Sequence, residues 1–365
     1  MKLQLQKNLF SDKLMQATRF TSSKFSNLQT LSGVLIEGKG KEIHFYSSNL
    51  SSYFHTVLKI KEEASFSYVI EPKKILEFLS FLSSSLITIE FKEKEIIIFH
   101  EKTKAGFPIL TSVDFPQPPE VKEDKQPIKT KMITEEVPLV LFAASQDETR
   151  PALNGINFVT TDEEFIIVAT DGFRLSLLKS KREMPFPSML IPKDFLGEIV
   201  RIIKEEKEVF FGFSEKEKTI VFKVGESEYY SRLIDGDFPP FESVIPTEKK
   251  TTVTLETEEF LRNIKLVSVF ARDSSNIVLF DAKKDGLYLR PKTEVDGQNE
   301  AFQEAELVGD EQKIAFNFKF LVEFLNSVKT KQITVEILRP DAPVVFRIPN
   351  QKDFLHIIMP IRIQQ

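Results

Sequence analysis

A pattern of about 120 residues occurs three times along this chain, and the repeat constrains the fold more than any single motif. Each copy contains a helix followed by two strand-rich segments. These helices are predicted to begin at Pro72, Pro192 and Asn317, which are 120 and 125 residues apart. Because solenoid units are only about 20 to 50 residues long, a period of this length indicates tandem domains. The sequence therefore predicts three similar domains.

The first half of each copy also repeats, with a short strand that leads into another helix. These helices are predicted to begin at Ser11, Glu135 and Thr257. Thr257, followed by two acidic residues, has the composition of a capped helix start. In this third helix Leu261, Ile264, Val267 and Val269 are apolar residues at helical spacing, which supports the prediction of a helix.

Alternating polar and apolar residues follow each first helix, with acidic or Gly-containing turns between the predicted strands. Each domain is therefore predicted to be an α+β unit, with two helices packed on a mostly antiparallel sheet. A segment rich in Pro and charge runs from Pro116 to Pro127, and the composition changes again after Val244. We place the domains at residues 1–118, 119–246 and 247–365.

Composition excludes several classes of protein. The chain has no Cys, so disulfides and thiol chemistry are excluded, and we expect a cytoplasmic protein. No segment has the length and apolar content of a signal peptide or a membrane helix. The net charge of −5 argues against a protein that coats nucleic acid with a uniformly basic surface. It does not exclude a protein whose basic residues are concentrated on one face.

No sequence motif of an enzyme is present. The chain lacks the phosphate-binding loops GxxxxGK[ST] and GxGxxG and the nucleophile elbow GxSxG, and its four His have no metal-ligand spacing. Asp171 and Arg174 could act as an acid and an electrophile in a hydrolase or transferase. No base accompanies them, however, and an Asp beside a Gly commonly forms an Asx turn. We predict a protein with no catalytic residue, no metal and no cofactor.

Four segments resemble the bacterial β sliding clamp family, the β subunit and processivity factor of DNA polymerase III. They are VATDGFRLSLL from Val168, ETRPALNGINF from Glu148, SRLIDGDFPPFESVIP from Ser231 and HIIMPIRIQQ from His356. Any one of them is a weak signal, but the four occur in the family's order on a threefold repeat. The resemblance extends over the whole chain.

The resemblance implies a non-enzymatic clamp in DNA replication, half of a closed ring. Two chains would form a head-to-tail homodimer that encircles duplex DNA independently of its sequence. Polymerase and clamp-loader subunits would bind through short linear peptides, and no membrane would be involved. The alternative is a cytosolic peptide-binding scaffold of the same domains that does not encircle DNA. Family positions that face DNA correspond to Lys24, Lys73, Lys193 and Gln146. Basic residues on the predicted helices are also compatible with an ordinary solvated surface.

In the family, client peptides insert apolar anchors between the second and third domains. The corresponding residues here are Leu153, Thr170, Gly172, Phe173, Arg174, Leu175, Pro239, Ser243, Val244, Ile357, Ile358, Met359, Pro360, Ile361 and Arg362. The alternative is that these residues belong to strand cores and a structured chain end. Phe173 replaces a His found in one branch of the family, which affects the expected client specificity.

The resemblance also assigns a seam between two chains. Phe107, on a first-domain strand, and Val269 and Phe270, at the end of a third-domain helix, match interface positions of the family. An exposed strand edge is prone to aggregation unless it is paired, and pairing across the seam would cover it. Core packing is the alternative for each of these three residues.

Overall fold

The computed structural model describes residues 1–22, 29–83, 86–110, 114–182, 186–203, 208–272, 275–292 and 299–362. Within these ranges each repeat contains two α-helices, as predicted. The helices are α1 (Lys7–Thr18), α2 (Pro72–Ser80), α3 (Pro138–Leu141), α4 (Lys193–Ile202), α5 (Thr257–Ala271) and α6 (Phe318–Ser327).

The described strands follow the helices in the order that the repeat predicts. The first repeat contains β1 (Lys2–Gln6), β2 (Val34–Ser48), β3 (Ser52–Ile70), β4 (Leu86–Phe91), β5 (Glu95–His100) and β6 (Thr103–Leu110). The second contains β7 (Gln126–Ile128), β8 (Gly155–Thr160), β9 (Glu164–Thr170), β10 (Arg174–Lys181), β11 (Met189–Pro192), β12 (Val209–Ser214), β13 (Thr219–Val224) and β14 (Ser227–Arg232). The third contains β15 (Thr251–Glu256), β16 (Ile277–Lys283), β17 (Gly286–Pro291), β18 (Ala301–Gln303), β19 (Glu306–Val308), β20 (Gln312–Asn317), β21 (Gln332–Ile337), β22 (Val344–Ile348) and β23 (Gln351–Ile358).

Helices α1 and α3 differ from the prediction. Helix α1 begins at Lys7 instead of Ser11, and its extra first turn buries Phe10 completely. Helix α3 has only four residues and follows a π-helical turn, Met132–Glu136. There the N–H of Val137 bonds to the carbonyl of Met132, five residues back. The next residue is a proline, which has no N–H to donate, so the regular α-helical pattern cannot run through this segment.

Helix α5 begins at Thr257, as predicted, but Thr257 is not its cap, and of its four apolar residues at helical spacing only Ile264 and Val267 are buried. The cap is Glu256, whose carboxylate accepts from the N–H groups of Glu258 and Glu259, and Thr257 is the first helical residue. Val269 is 58% exposed. Successive helical residues turn by about 100°, so Val269 points away from Val267, two positions earlier.

The backbone forms two compact units, and each contains parts of more than one repeat. The first comprises residues 1–130 and 201–233, and the second comprises residues 131–200 and 234–365. The sheet of the first unit has the order β1-β4-β5-β6-β3-β14-β13-β12-β7, with β2 paired to β3. Residues 227–231 of β14 pair with residues 52–56 of β3, so this sheet joins the first repeat to the second.

The second unit is built in a similar way. Its larger sheet has the order β11-β8-β9-β10-β23-β22-β21-β15-β19, and a smaller sheet has the order β18-β17-β16-β20. Residues 174–178 of β10 pair with residues 354–358 of β23, which joins the second repeat to the third. The halves of the second repeat thus belong to different sheets. The predicted domain edges at 118 and 247 lie between β6 and β7 and between β14 and β15, and they stay predictions.

Phenylalanine provides much of the core beneath the helices. In the third repeat Phe260 of α5, Phe280 of β16 and Phe316 of β20 are fully buried. The ring centroids of Phe260 and Phe280 are 6.0 Å apart, and those of Phe280 and Phe316 are 5.9 Å apart, both edge to face. Each buried Phe side chain contributes roughly 1.5–3 kcal/mol to stability. The described helices include none that is long and apolar enough to cross a membrane.

Candidate functional site

The turn that joins β9 to β10 forms the centre of the candidate site in the second unit. The Oδ1 atom of Asp171 accepts from the N–H groups of Phe173, at 2.9 Å, and Arg174, at 3.0 Å. This confirms the predicted Asx turn. Gly172 has φ +91°, a conformation that favours glycine, and its N–H donates to the Thr170 hydroxyl. As a result Phe173 lies at the tip of the turn with 61% of its surface exposed.

Arg174 is the most unusual residue of the site, because it is charged and only 7% exposed. Its Nε donates to Oδ2 of Asp171 at 2.9 Å. Its Nη1 lies 2.6 Å from Oε2 of Glu323 on α6, an ion pair that lacks the geometry of a hydrogen bond. The guanidinium carbon lies over the rings of Phe320 and Phe142, 4.7 and 5.7 Å from their centroids. Asp171 and Arg174 are therefore held by each other, which disfavours the acid–electrophile alternative.

The C-terminal segment is fixed beside this turn. The N–H of Met359 donates to the carbonyl of Phe173 at 2.8 Å, and the N–H of Ile361 donates to the carbonyl of Ala315 at 2.8 Å. Ile357 and Ile358 are buried in β23, whereas Met359 is exposed. Backbone pairing therefore continues past the end of the strand as far as the described residues extend, which is compatible both with a peptide site and with the alternative of a structured chain end.

The segment from Phe238 to Ile245 covers one face of the joined β10–β23 sheet. Phe241 is buried in one apolar cluster with Leu175 and Ile357, and Phe238 and Ile245 pack against this cluster. Leu175 and Ile357 thus have a core role, as the alternative interpretation allowed.

The predicted pocket residues divide into a buried base and an exposed rim. The buried ones are Thr170, Arg174, Leu175, Ile357 and Ile358. Those of intermediate exposure are Leu153, Pro360 and Ile361, and the exposed ones are Gly172, Phe173, Pro239, Ser243, Val244, Met359 and Arg362. Leu153 lies in a 3-10 turn, Pro151–Asn154, where its carbonyl accepts from the N–H of Ser145. Contact of these residues with a peptide stays a prediction.

Sequence reasoning did not identify three residues of this site. Phe142, Phe320 and Glu323 all contact the guanidinium of Arg174. The last two lie on α6, whose apolar periodicity predicted a helix without indicating what its partly exposed side would contact. No local motif connects α6 to a turn in the preceding repeat.

His356 lies on β23, opposite Ser176 of the neighbouring strand β10. It is completely buried, its Nδ1 is 2.7 Å from the Ser176 hydroxyl, and its ring is stacked on Phe324 at 4.8 Å. Burial, and secondarily the positive charge of Arg174, holds the pKa of His356 well below its ordinary value of 6.5. The folded protein therefore keeps this imidazole neutral under conditions in which the unfolded chain would protonate it.

Because His356 is buried in its neutral form, we expect the free energy of unfolding to fall at acidic pH. Since the pKa of His356 is lowered on folding, its contribution is complete above about pH 6.5 and is lost as the pH falls below that value. At pH 5.5 the loss is on the order of 1 kcal/mol. We expect the midpoint of thermal unfolding to fall by about 2–4 °C more in the wild type than in a His356→Gln variant between pH 7.5 and 5.5. Equal shifts in the two proteins would contradict this assignment.

The other histidines also have polar partners. Nδ1 of His44 lies 3.0 Å from Nε2 of His55, and Nε2 of His100 lies 3.2 Å from the Ser83 hydroxyl. His55, whose Nδ1 lies 3.6 Å from the carboxylate of Glu228, is the main cause that lowers the pKa of Glu228 to about 2, so this carboxylate stays ionised. In the described part of the chain, no group of three or more acidic or His side chains is arranged to hold a metal ion.

The predicted DNA-facing residues have different environments. Lys73 is exposed in the first turn of α2, and Gln146 is exposed after α3. Lys193 is half-buried at the start of α4, where its Nζ donates to the carbonyl of Ala144 at 2.7 Å. Burial and, to a lesser degree, Arg174 lower the pKa of this ammonium. Lys24 lies outside the described residues. The DNA-facing role of all four stays a prediction.

The predicted seam residues lie on the surface of their own units. Phe107 is half-buried on β6, where its ring meets Phe78 edge-on at 5.6 Å. Val269 and Phe270 are 58% and 47% exposed. Leu266, which sequence reasoning missed, is 57% exposed on the same side of α5, three and four residues away from them. An exposed apolar stripe of this kind is typical of a surface that another chain covers.

Comparison with known proteins gives one result over nearly the whole chain. Residues 1–119, 127–240 and 242–362 match the N-terminal, central and C-terminal domains of the DNA polymerase III beta subunit. The beta sliding clamp of Bacillus subtilis is 26% identical over 379 residues, which cover 99% of this chain and 100% of the relative. That of Streptococcus pneumoniae serotype 4 is 27% identical and is covered, like this chain, to 98%.

Solved structures show the same likeness. The sliding clamp of Bacillus subtilis superposes with a TM-score of 0.91 at 25% identity, with complete coverage of both chains. The DNA polymerase III beta chain of Streptococcus pneumoniae gives 0.92 at 23% identity, with 99% and 100% coverage. Since all three consecutive domains match in order and the fold agrees throughout, this chain belongs to the DNA polymerase III beta subunit family, the bacterial β sliding clamps.

Proposed function

We propose that two copies of this chain form a head-to-tail ring that encloses duplex DNA and tethers a replicative polymerase through the site around Arg174. The ring would act as a processivity factor without an active site of its own. A clamp loader would open and close it, since the sequence contains no nucleotide-binding loop. This role places the chain in the compartment that holds the chromosome, the cytoplasm.

The observation that carries this proposal is a rule in how the repeats are joined. In both joints within the chain, the last strand of one repeat pairs with a strand in the first half of the preceding repeat. Strand β14 pairs with β3, and β23 pairs with β10. Sheet order identifies the equivalent strand of the third repeat, because β20-β16-β17-β18 corresponds to β11-β8-β9-β10. Strand β18 is therefore the counterpart of β10.

This rule leaves one strand edge unused in each unit. As far as the structure describes the chain, β18 pairs only with β17, and β6 pairs with β3 only through Ile109 and Leu110. Within the described residues, β6 pairs with no strand of a preceding repeat, and β18 pairs with no strand of a following one. A second copy placed head to tail supplies the missing neighbour to both edges, and the symmetry closes the assembly. The apolar stripe at Leu266, Val269 and Phe270 lies on α5, which packs against β18.

A closed ring needs little adhesion to its DNA, and the charge of the chain is consistent with that. With a net charge of −5 the protein as a whole does not attract phosphates, but exposed lysines such as Lys73 lie on the helices. Such contacts reach the DNA backbone and carry no sequence information, so an enclosed duplex would slide.

The proposed DNA contacts predict a salt effect. Lys24→Glu combined with Lys73→Glu should weaken binding to a short linear duplex. It should also lower the slope of log affinity against log salt by about 2, since each phosphate contact contributes about 0.9. Fluorescence anisotropy at several salt concentrations measures this slope. Lys92→Glu combined with Lys94→Glu, on the exposed turn between β4 and β5, is the matched control. An equal change in both variants would show that Lys24 and Lys73 do not face DNA.

The alternative function is a scaffold that binds peptides and never encloses DNA. It would use the same groove around Phe173 and Met359 but would not need a second copy at β6 and β18. Light scattering combined with electron microscopy tests the proposal against it. We expect a particle with twice the mass of one chain and a central channel wide enough for a double helix. A single chain at micromolar concentration, with no channel, would favour the scaffold.

A further inference from the structure

Glu323 lies against the most buried charged residue of the candidate site, although neither the sequence motifs nor the family resemblance assigns it a role. It is on α6, with about half of its side chain exposed, and its Oε2 is 2.6 Å from Nη1 of Arg174. The guanidinium also packs over Phe320, one turn earlier on the same helix. Helix α6 thus holds Arg174 by a charge and by an aromatic face.

Contacts run from Glu323 to the exposed rim without a gap. Arg174 donates to Oδ2 of Asp171, and Oδ1 of Asp171 accepts from the N–H of Phe173. The carbonyl of Phe173 in turn accepts from the N–H of Met359. Phe173 and Met359, two of the exposed apolar residues of the rim, are therefore fixed through a series of charged and backbone contacts that begins on α6.

We propose that Glu323 is a positioning residue for client peptides, a role that rests on the proposed function. Its carboxylate holds the guanidinium between Phe320 and Phe142, and the guanidinium holds the turn that carries Phe173. Without this charge, Arg174 is compensated only by Asp171, and a buried cation that loses a partner shifts toward water. The turn then loses its fixed geometry, and a peptide must order it on binding, which weakens affinity.

The test uses the full chain and a fluorescein-labelled probe. The probe is the tightest-binding member of an overlapping peptide set that covers the replicative polymerase of the same cell. Glu323→Gln keeps the shape of the side chain and removes its charge, and we expect it to weaken binding about tenfold by anisotropy. Glu323→Asp should recover part of the affinity. Glu258→Gln, an exposed acid on α5, is the control and should leave affinity unchanged.

Two further measurements separate positioning from a general structural effect. In an Arg174→Gln background Glu323→Gln should cause no further loss, since Glu323 acts through Arg174. Amide hydrogen exchange at Phe173 and Arg174 should be faster in Glu323→Gln than in the wild type, with or without peptide. A wild type that binds no peptide from the set would defeat the proposed pocket and this inference together. Peptide binding by Glu323→Gln with wild-type affinity and exchange would overturn the inference alone.

Discussion

Val269→Asp combined with Phe270→Asp should convert the protein to a single chain and abolish its retention on circular DNA. Both side chains are about half exposed on α5, next to Leu266, and the proposed seam would bury them. Two carboxylates buried in such a surface would lack partners, and the desolvation cost is several kcal/mol for each ion. Light scattering should give half the wild-type mass at the same concentration.

The control for this variant is Met15→Asp on α1, where an exposed apolar helix residue is also replaced by an acid. It should leave the mass and the retention unchanged. Peptide binding should survive in Val269→Asp/Phe270→Asp, because the site around Arg174 lies wholly within the second unit of one chain. If the double variant keeps the wild-type mass, the seam does not include the end of α5.

Deletion of residues 359–365 should abolish binding of the polymerase peptide while the protein keeps its dimeric mass. The segment contributes exposed Met359 to the rim, and its backbone is tied to Phe173 and Ala315. Removal of a central apolar anchor from an interface typically costs 2 kcal/mol or more, and here the backbone segment that carries the anchor is lost as well. We expect affinity to fall by at least about 100-fold in fluorescence anisotropy.

Two variants check that this loss reflects the rim. Deletion of Gln364 and Gln365 alone should leave affinity unchanged, whereas Met359→Glu in the complete chain should reproduce most of the loss. The substitution keeps the backbone bond to Phe173, so it removes the apolar contact without removing the backbone segment. Wild-type affinity in Met359→Glu would exclude this side chain from the peptide site.

Features that depend on local chemistry or on periodicity could be predicted from the sequence. The threefold repeat predicted two helices and their sheets in each copy. The Asp171–Gly172 pair predicted an Asx turn, because a short Asp side chain readily accepts from backbone N–H groups two or three residues on and Gly accepts positive φ. The start of α5 at Thr257 followed from the helical pattern of apolar residues and from the acidic residues behind it.

Features that depend on distant residues could not be predicted in this way. The contact of Arg174 with Glu323 joins residues of different repeats, and no motif connects them. The bond from Lys193 to the carbonyl of Ala144 likewise half-buries a lysine that was predicted to face DNA. Leu266 was missed because an exposed apolar stripe and a buried one have the same spacing along a helix. Helix α1 begins one turn earlier than predicted, and this turn contains Phe10, which is fully buried in the core.

The strand pairings that join the repeats could not be predicted from the sequence either. Strand propensity predicted β10 and β23, but their pairing depends on register between segments about 180 residues apart. This pairing places Arg174 opposite Ile358 and thereby brings the turn and the chain end together. The site therefore exists because two repeats share one sheet.

Retention of the loaded protein on nicked circular plasmid, before and after a single restriction cut, tests the central claim of enclosure most directly. After loading by its clamp loader, the protein should stay with the circle through gel filtration at a salt concentration that removes phosphate contacts. A ring can leave a duplex only over an end, so one cut should release it, and blocks bound at both ends should prevent that release. Retention that is the same on circular and cut DNA, or that disappears with salt alone, would contradict enclosure.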